Sequence, residues 1–457
     1  MPRFNDFMPS PRFAPTDVID RASDFTRFFA DAGKPESEWA LGVEVELFGF
    51  TRNTLERITP PQVQTVIEGF APQIVDQTEE NGHITEATLE GAQGEDTGRL
   101  TIEPGGQIEF SGAHRRSLAE IERELRHFLD QLSAIGEANG IIFIASGFDP
   151  VRSLDQQSWI TKRRYEIMRP YLKTRGRRAW DMMTRTAATQ VNLDFRDLED
   201  LAHKFAAANR LAPVAAAMFA NSPFEEGKLS GFKSTRSAVW LETDPDRTGP
   251  SRLALDGKFS VPQFIDEVSA VPMFFVRRDG RYVDYSGHSF GEFLGQCSCP
   301  QTPIFQDFTD HLSTIFTEAR LKPHIEQRSM DAGSLEMVMA ALAFWKGLLY
   351  DDAALDGALK LMPAMTRQGF LALQREVSRH GLEARLDREP IITLARAAIE
   401  LARSGLERIA PDELCYLDVL DQLVLRENAC PADILIRNFT GSWDGDIGKA
   451  IEYSRIG

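Results

Sequence analysis

Alternation of carboxylate and apolar side chains in the segment LGVEVELFGF (residues 41–50) constrains the fold more than any other feature of the chain. Alternate residues of a strand point to the same side, so Glu44 and Glu46 share one face while Val43, Val45 and Leu47 occupy the other. Carboxylates about 4 Å apart repel each other by roughly 4 kcal/mol at an effective dielectric constant near 20. The segment therefore predicts a strand with an apolar back and a positive group near its front.

The same pattern recurs in three later segments, each of which reads as a strand with one polar face. The segments and their polar residues are EPGGQIEFSG with Gln107 and Glu109, TQVNLDF with Gln190, Asn192 and Asp194, and HIEQRSMD with Glu326 and Arg328. A solvent-exposed sheet face explains any single one of these strands equally well. Four polar faces that use Glu, Gln, Asn and Asp, in place of the Thr and Lys usual on solvated strands, indicate the wall of a cavity.

A divalent cation bound by oxygen ligands meets the need for positive charge beside these strands. Mg²⁺ keeps several waters and uses a few carboxylates to hold the phosphates of a nucleotide. The predicted metal ligands are Glu44, Glu46, Glu103 and Glu109. The sequence has no HExxH, no CxxC and no paired-His spacing, which argues against zinc, and no GxxxxGK[ST] loop for a nucleotide.

Clusters of basic residues stand out in a chain this acidic. They are KRRYEIM at residues 162–168, the arginines of residues 175–178, and GFKSTRSAVW at residues 231–240. Arg binds carboxylate and phosphate through two parallel hydrogen bonds, so Arg164 and Arg236 suit an anionic substrate and a transferring phosphoryl group. The alternative, surface charge paired with acids, is favoured for the arginines of residues 175–178.

Composition excludes several classes of function. The 457 residues carry 68 Asp and Glu against 51 Lys and Arg, a net charge of −17, which repels nucleic acid and anionic membranes. No segment approaches the roughly 18 apolar residues of a membrane span or the apolar core of a signal peptide. The four cysteines, Cys297, Cys299, Cys415 and Cys430, are too few for a secreted disulfide scaffold. We therefore expect a cytoplasmic protein.

Helical periodicity is clearest from Ser117 to about Asn139. Ser117 and Glu120 form a capping-box pair, and Gly140 stands where a left-handed terminator is expected. An apolar strand is predicted at residues 141–148. After Gly333 the chain reads as entirely helical.

Elsewhere the pattern of elements is irregular. The acidic, glycine-rich segment 88–97 and the basic segment 161–178 are interpreted as loops. Further strands are expected at Val239 and Phe274.

These segments resemble the plant-type glutamate–cysteine ligases, which also occur widely in proteobacteria, within the glutamine synthetase-like carboxylate–amine ligases. The resemblance covers roughly residues 39–352. It is carried, in the same order, by GVEVELFGF, IEPGGQIEFSGA, RRYEIMRPYL, DMMTRTAATQVNLDF, FANSPFEEGK, VWLETDPDRTG and FWKGLLYDD.

The resemblance implies an α+β fold with a central antiparallel sheet curled into an open funnel, glutamine synthetase-like, with outer helices. It implies one catalytic domain over residues 1–457, with a sheet-containing core at 16–330 and a helical C-terminal region at 331–457 packed on it. It also implies ATP-dependent ligation of the γ-carboxylate of glutamate to the amine of cysteine through γ-glutamyl phosphate, with Mg²⁺, in glutathione or related thiol biosynthesis. The implied partners are L-glutamate, L-cysteine and ATP, and the implied state is a monomer or a homodimer.

Matched residue by residue, the resemblance gives the polar residues provisional roles. The acidic motifs correspond to the four metal ligands named above. Catalytic roles are implied for Arg164, Arg236, Glu326 and Arg328. Nucleotide binding is implied for Gln107, Gln190, Asn192 and Lys233.

Departures from the family pattern leave the acceptor amine open. Where relatives commonly read LKRYxEMRGADGGPWRR, this chain reads LKPHIEQRSMDAGSLEM, which changes Pro323, His324, Gln327 and Ser334–Met337. A γ-glutamyl ligase with another acceptor and a non-catalytic glutamate- or nucleotide-binding paralogue are the alternatives. Tyr285 replaces one cysteine of the regulatory hairpin disulfide of plant enzymes, so we expect no redox control.

Overall fold

The computed structural model describes residues 13–19, 22–90, 96–295 and 300–456. Within this part of the chain, one large sheet of nine strands dominates, in the order β14-β15-β7-β1-β5-β4-β3-β2 with β6 beside the end of β1. The strands are β1 Leu41–Thr51, β2 Ile74–Glu80, β3 His83–Glu90, β4 Asp96–Ile102, β5 Ile108–Gly112, β6 Ile141–Ile144, β7 Ala188–Leu193, β8 Phe224–Glu225, β9 Lys228–Leu229, β10 Thr248–Gly249, β11 Phe275–Arg278, β12 Arg281–Asp284, β13 Phe316–Thr317, β14 Ala319–Leu321, β15 Ile325–Asp331, β16 Arg385–Leu386 and β17 Glu389–Pro390.

Antiparallel pairing joins every neighbouring pair of strands in the large sheet. The central strand β1 binds β5 and β7 along its first half and β6 along its last residues. The mixed helix and sheet composition and the antiparallel sheet agree with the expected fold class. Because β1 lies at the centre, its side chains decide what each face of the sheet can do.

Helices surround the sheet. They are α1 Ala22–Asp31, α2 Pro60–Glu68, α3 Leu118–Asn139, α4 Arg163–Lys173, α5 Ala179–Arg185, α6 Leu198–Met218, α7 Thr235–Trp240, α8 Arg252–Asp256, α9 Val261–Ser269, α10 Phe290–Leu294, α11 Phe305–Ser313, α12 Leu335–Leu349, α13 Asp352–Leu361, α14 Arg367–His380, α15 Ile391–Ile409, α16 Asp418–Leu420, α17 Pro431–Thr440 and α18 Ile447–Tyr453.

The apolar back of β1 is buried as its alternation predicts. Val43, Val45 and Leu47 belong to the main hydrophobic core, and α12 packs against β1 on this side. Full burial of a Val or Leu side chain stabilises a fold by about 1.5–3 kcal/mol, so a one-residue slip of this strand would be costly. The register of β1 is therefore set by its apolar face, and the carboxylates are held on the other.

Helix α3 begins and ends where the sequence predicts. The Ser117 hydroxyl accepts the Glu120 backbone N–H, and the Glu120 carboxylate accepts the Ser117 backbone N–H at 3.2 Å. Gly140 ends the helix in the left-handed region with φ of 65°, a conformation that costs glycine little. The capping-box prediction is confirmed.

Two element predictions are wrong. The basic segment expected to be a loop forms α4, because Tyr165, Met168 and Leu172 recur at helical spacing and bury one side. Val239, expected in a strand, lies in α7, whose N-terminus is capped by the Ser234 side chain accepting the Ser237 N–H. In α4, charged residues between the apolar ones obscure the helical period, and α7 has only six residues, too few for a period to be clear.

Two further predictions hold only in part. The segment 88–97, expected to be a loop, is strand at both ends, because β3 continues to Glu90 and β4 begins at Asp96. Residues 91–95 lie outside the described ranges. The chain after Gly333 is helical except for the short β16–β17 hairpin. The antiparallel ladder between β3 and β4 extends both strands beyond what their composition favours.

The Glu413 carboxylate of the helical C-terminal region joins this region to the core through helix α3. Lys346 of α12 binds Glu413 at 2.6 Å, and the same carboxylate accepts the backbone N–H of Leu118 at the start of α3, at 2.9 Å. Negative charge is favourable at a helix N-terminus. That residues 1–457 form one catalytic domain stays a prediction, which a single cooperative unfolding transition would support.

Among the described residues, no helix is both long enough and apolar enough to span a bilayer.

The thiols that the structure describes are free. Cys415 is exposed and Cys430 is buried, while Cys297 and Cys299 lie outside the described residues. Burial raises the pKa of the Cys430 thiol well above its usual value, and its Sγ lies 3.1 Å from Oδ2 of Asp433.

We predict that a thiol reagent modifies Cys415 in the folded protein and leaves Cys430 unmodified until the chain is unfolded, because the thiolate is the reactive form. Peptide mass mapping after timed alkylation measures both rates. Equal labelling of the two thiols, or a cross-linked Cys415–Cys430 peptide before reduction, would contradict this placement.

Candidate active site

Polar side chains line up across the face of the sheet opposite the core. The register places Glu46 of β1 against Glu109 of β5, and Glu44 of β1 against Gln190 of β7. Asn192 of β7 then faces Glu326 of β15. We call the whole set the polar row: Thr101, Glu109, Glu46, Glu44, Gln190, Asn192, Glu326 and Arg320.

Amide side chains of β7 hold the two carboxylates of β1. Asn192 Nδ2 donates to Glu44 Oε1 at 3.0 Å, and Gln190 Nε2 donates to Glu46 Oε1 at 3.1 Å. The Ala188 backbone N–H donates to the second oxygen of Glu46 at 2.8 Å. These bonds orient the carboxylates but bring no charge to them.

Burial, together with the crowding of negative charge, raises pKa values in the row. Burial, then the charges of Glu109 and Glu103, raise the pKa of Glu46 well above its usual value. Burial and Glu103 likewise raise the pKa of Glu109, although a Thr101 hydroxyl bond to Glu109, at 2.5 Å, lowers it. Burial and Glu326 raise the pKa of Glu44. The positive charges of Arg236 and Arg328 lower the pKa of Glu46 but do not offset these effects.

Glu326 differs from the other carboxylates because cations surround it. Arg320 donates to both of its oxygens, at 2.5 and 2.6 Å, while Arg328 lies at 2.8 Å and Lys322 at 3.1 Å. Although burial opposes ionisation, these charges hold the pKa of Glu326 well below its usual range. Glu326 therefore anchors a cluster of positive charge at one end of the row.

Arg328 and Arg236 bring positive charge towards Glu46. Arg328 hydrogen bonds to both Gln190 and Glu326, and the Arg236 guanidinium donates to the Arg328 carbonyl at 2.7 Å. Arg236 belongs to α7 and is only 4% exposed. Its location excludes the surface-charge alternative for this residue.

A cavity of about 110 Å³ opens beside this end of the row, and we call it the main cavity. Its polar wall consists of Glu46, Glu103, Gln107, Arg164, Arg236 and Arg328. Its apolar wall includes Tyr165, Met168, Met182, Met183, Trp240 and Phe316. Three arginines and two carboxylates from five elements or turns thus converge on one enclosed space.

A tight turn between β4 and β5 positions Glu103. The Gly106 N–H donates to the Glu103 carbonyl at 2.9 Å. The Gln107 side chain closes the turn: its Oε1 accepts the Gly105 N–H at 3.0 Å, and its Nε2 donates to the Thr186 carbonyl at 2.8 Å. A Cβ on Gly105 would lie 2.3 Å from the Thr184 carbonyl oxygen, so only glycine fits. Gln107 lines the cavity, but its amide is engaged with the backbone.

Lys233 does not line this cavity. Its ammonium forms an ion pair with Asp433 of α17, in the C-terminal region. The assignment of Lys233 to nucleotide binding stays a prediction.

The arginines of residues 175–178 are paired with acids, as the alternative reading expected. Their partners are Asp244 and Asp246 for Arg175, Glu242 for Arg177, and Asp181 and Glu225 for Arg178.

Several residues around the site were not predicted from the sequence. Arg320 and Lys322 surround Glu326 because the β14–β15 hairpin folds them back onto it. The antiparallel pairing of Arg320 with Glu326, six residues apart around a short turn, is the signal that could have found this ion pair. Trp240 and Phe316 have no comparable signal, since they belong to different short elements that meet only in the folded chain.

No group of three or more His, Cys, Asp or Glu side chains in the described part of the chain forms a ready metal cage. The carboxylates of the polar row are instead spread along neighbouring strands.

Comparison with known proteins identifies the family. The model of glutamate-cysteine ligase family 2 matches residues 40–453. The chain is 36% identical over 432 residues to the chloroplastic glutamate–cysteine ligase of Brassica juncea, covering 94% of this chain and 83% of the relative. It is also 36% identical to the Arabidopsis thaliana enzyme, covering 94% and 82%.

Solved structures agree at the level of the fold. A glutamate–cysteine ligase from Francisella tularensis, determined with AMP, superimposes with a TM-score of 0.53 at 12% identity, covering 90% of this chain and 88% of that one. A bifunctional glutathione synthetase from Pasteurella multocida has the same TM-score and identity, covering 89% of this chain and 50% of that one. By its sequence match over nearly the whole chain, this protein belongs to glutamate-cysteine ligase family 2.

Proposed function

We propose that the protein uses ATP to join the γ-carboxyl of L-glutamate to the amine of L-cysteine, the first step of glutathione or related thiol biosynthesis. The observation that carries this proposal is the main cavity, where Glu46 of the polar row and the neighbouring Glu103 lie beside three arginines. This arrangement suits the transfer of a phosphoryl group, which depends on placement and charge stabilisation. The printed activity of the plant relatives supports the same reaction.

Mg²⁺ fits the donor set of the row. Glu44, Glu46 and Glu109 of the row and the neighbouring Glu103 offer only oxygen ligands, and burial together with nearby carboxylates raises the pKa values of Glu44, Glu46 and Glu109. Mg²⁺ at nucleotide sites takes one or two carboxylates together with phosphates and waters, so an open row suits it better than a closed cage. We propose these four residues as its ligands; when bound, the cation supplies charge neutralisation at the transferring group.

The arginines of the main cavity are proposed to bind the reacting groups. The γ-carboxylate of glutamate attacks the γ-phosphorus of ATP, a C–O–P anhydride forms, and ADP leaves. The acceptor amine then attacks the γ-carbonyl carbon of this anhydride, so that the amide C–N bond forms, the C–O bond breaks, phosphate departs and the amine nitrogen loses a proton. Arg164, Arg236 and Arg328 stabilise the anionic groups in both steps. The apolar wall of the cavity keeps water from hydrolysing the anhydride.

Gln190 and Asn192 are proposed to contact the nucleotide. Each amide uses one group on a carboxylate of β1. The Asn192 Oδ1 is buried without a hydrogen-bond partner among the described residues, which leaves it available for a ligand donor. Gln107 is proposed to support the same site indirectly, through the turn that carries Glu103.

The remaining expectations are also proposals. We infer that the antiparallel sheet curls into an open funnel with the site at one end, and that the protein acts as a monomer or homodimer in the cytoplasm. The named plant relatives are chloroplastic.

Cysteine is the favoured acceptor because the family departures lie away from the substrate space. None of Pro323, His324, Gln327 and Ser334–Met337 lines the main cavity. Gln327 is buried and donates to the Ala208 carbonyl at 2.9 Å, and Ser334 caps α12. Gln327 and Ser334 therefore affect packing and helix capping, whereas His324 lies near Lys322 and Glu326 at the other end of the row.

We predict that cysteine gives the highest kcat/KM when ADP release is measured with L-glutamate, MgATP and a panel of amino acids and simple amines. Product mass and fragmentation establish the γ-linkage. A higher kcat/KM for another amine would replace cysteine as the acceptor. Absence of ADP release with every amine would favour the non-catalytic alternative.

We predict that Arg236→Lys lowers kcat/KM by about tenfold or more, because an ammonium cannot reproduce two parallel guanidinium bonds. Arg177→Lys is the matched control, since Arg177 is 80% exposed and forms a surface ion pair with Glu242. Steady-state kinetics of the two variants, with melting temperatures to verify folding, decide the point. Wild-type kinetics for Arg236→Lys would show that the guanidinium shape has no role.

A further inference from the structure

A second, smaller cavity continues the main one. It has a volume of about 20 Å³ and shares Arg236, Trp240, Phe316 and Arg328 with the main cavity. Its far wall adds Glu318 and Gln374, and we call it the minor cavity. A space of this size accommodates one small polar group, such as an ammonium or a water.

Two buried polar atoms on its wall lack partners among the described residues. They are the carbonyl oxygen of Gln374, a residue only 1% exposed, and the indole N–H of Trp240. The half-buried Glu318 carboxylate lines the same wall, with Arg236 and Arg328 as the positive charges that act on it. Buried polar groups are normally hydrogen bonded, so two such atoms beside a carboxylate on one small cavity point to a ligand.

The charges on the wall specify the kind of ligand. Arg236 and Arg328 disfavour a simple cation, and the Glu318 carboxylate disfavours a phosphate. A group that carries both signs within a few ångströms matches this wall, and an α-amino acid carries an ammonium and a carboxylate on one carbon.

We propose that the minor cavity binds the α-ammonium group of glutamate, with Glu318 and the Gln374 carbonyl as its acceptors. The α-carboxylate then lies against Arg236 and the Trp240 N–H at the boundary between the cavities. The side chain extends into the main cavity and places the γ-carboxyl towards Glu46. This assignment rests on the proposed function, and the ammonium belongs to glutamate because the acceptor's own amine must react as the nucleophile.

Through Gln374, this assignment gives helix α14 a direct part in substrate selection. Helix α14 belongs to the C-terminal region, and its Ser378 carbonyl accepts the backbone N–H groups of Lys233 and Ser234 at 2.9 and 3.0 Å. These bonds join α14 to the start of α7, which carries Arg236 and Trp240. The two helices thus present their ligand groups as one unit.

Glutarate, which lacks only the α-ammonium of glutamate, is the probe. We expect wild type to prefer L-glutamate over glutarate in kcat/KM, and Glu318→Gln to reduce this preference by about tenfold or more, through a higher KM for L-glutamate. Gln374→Met, which keeps the length of the side chain and removes the acceptor, should reduce it by about fivefold. The KM values for ATP and cysteine should change by less than about twofold, since neither ligand uses this cavity.

Glu376→Gln provides the matched control, since Glu376 is on the same helix with a side chain 60% exposed. Its preference should equal that of wild type. An unchanged preference in Glu318→Gln or in Gln374→Met, or equal use of glutarate and L-glutamate by wild type, would overturn the inference. If wild type releases ADP with neither compound, the proposed function fails instead.

Discussion

Repulsion between Glu46 and Glu109, held opposite each other on adjacent strands, is the constraint on which the site depends. The apolar backs of β1 and β5 are buried, so neither strand can shift to separate the carboxylates. Burial of apolar side chains in the core thus stabilises a pair of opposed carboxylates whose repulsion is unfavourable on the other face of the sheet. The burial that stabilises the fold therefore also holds the Glu46 and Glu109 carboxylates close together, where a bound cation would reduce their repulsion.

Positive charge near the row is divided between an ion pair with Glu326 and the cavity beside Glu46. Arg320 is committed to Glu326, whereas Arg236 and Arg328 reach the cavity beside Glu46. Ion pairs at one end of the row keep its geometry, and the guanidinium groups of Arg236 and Arg328 line the cavity at the other end. This split would allow one sheet face to hold both the proposed metal–nucleotide site and the proposed binding site for anionic substrates.

The strand faces were predictable from sequence because a period of two reports which side chains share a face, and this placed Glu44, Glu46 and Glu109 together. Residues of α4 and α7 were harder to place, since charges interrupt the helical period of α4, α7 has only six residues, and tertiary burial of Tyr165 and Val239 decides the outcome. The minor cavity was beyond sequence reasoning altogether. Its walls come from segments far apart in the chain, which only the packing of α14 against α7 brings together.

Binding of Mn²⁺ in place of Mg²⁺ measures directly whether a cation completes the polar row. Electron paramagnetic resonance reports free Mn²⁺ during titration of the protein in the presence of a non-hydrolysable ATP analogue. We expect Glu46→Gln and Glu109→Gln each to weaken Mn²⁺ binding by at least about tenfold, while Glu90→Gln, at an exposed position of β3, leaves it unchanged. Wild-type affinity in both Glu46→Gln and Glu109→Gln would contradict the role of the row as a metal site.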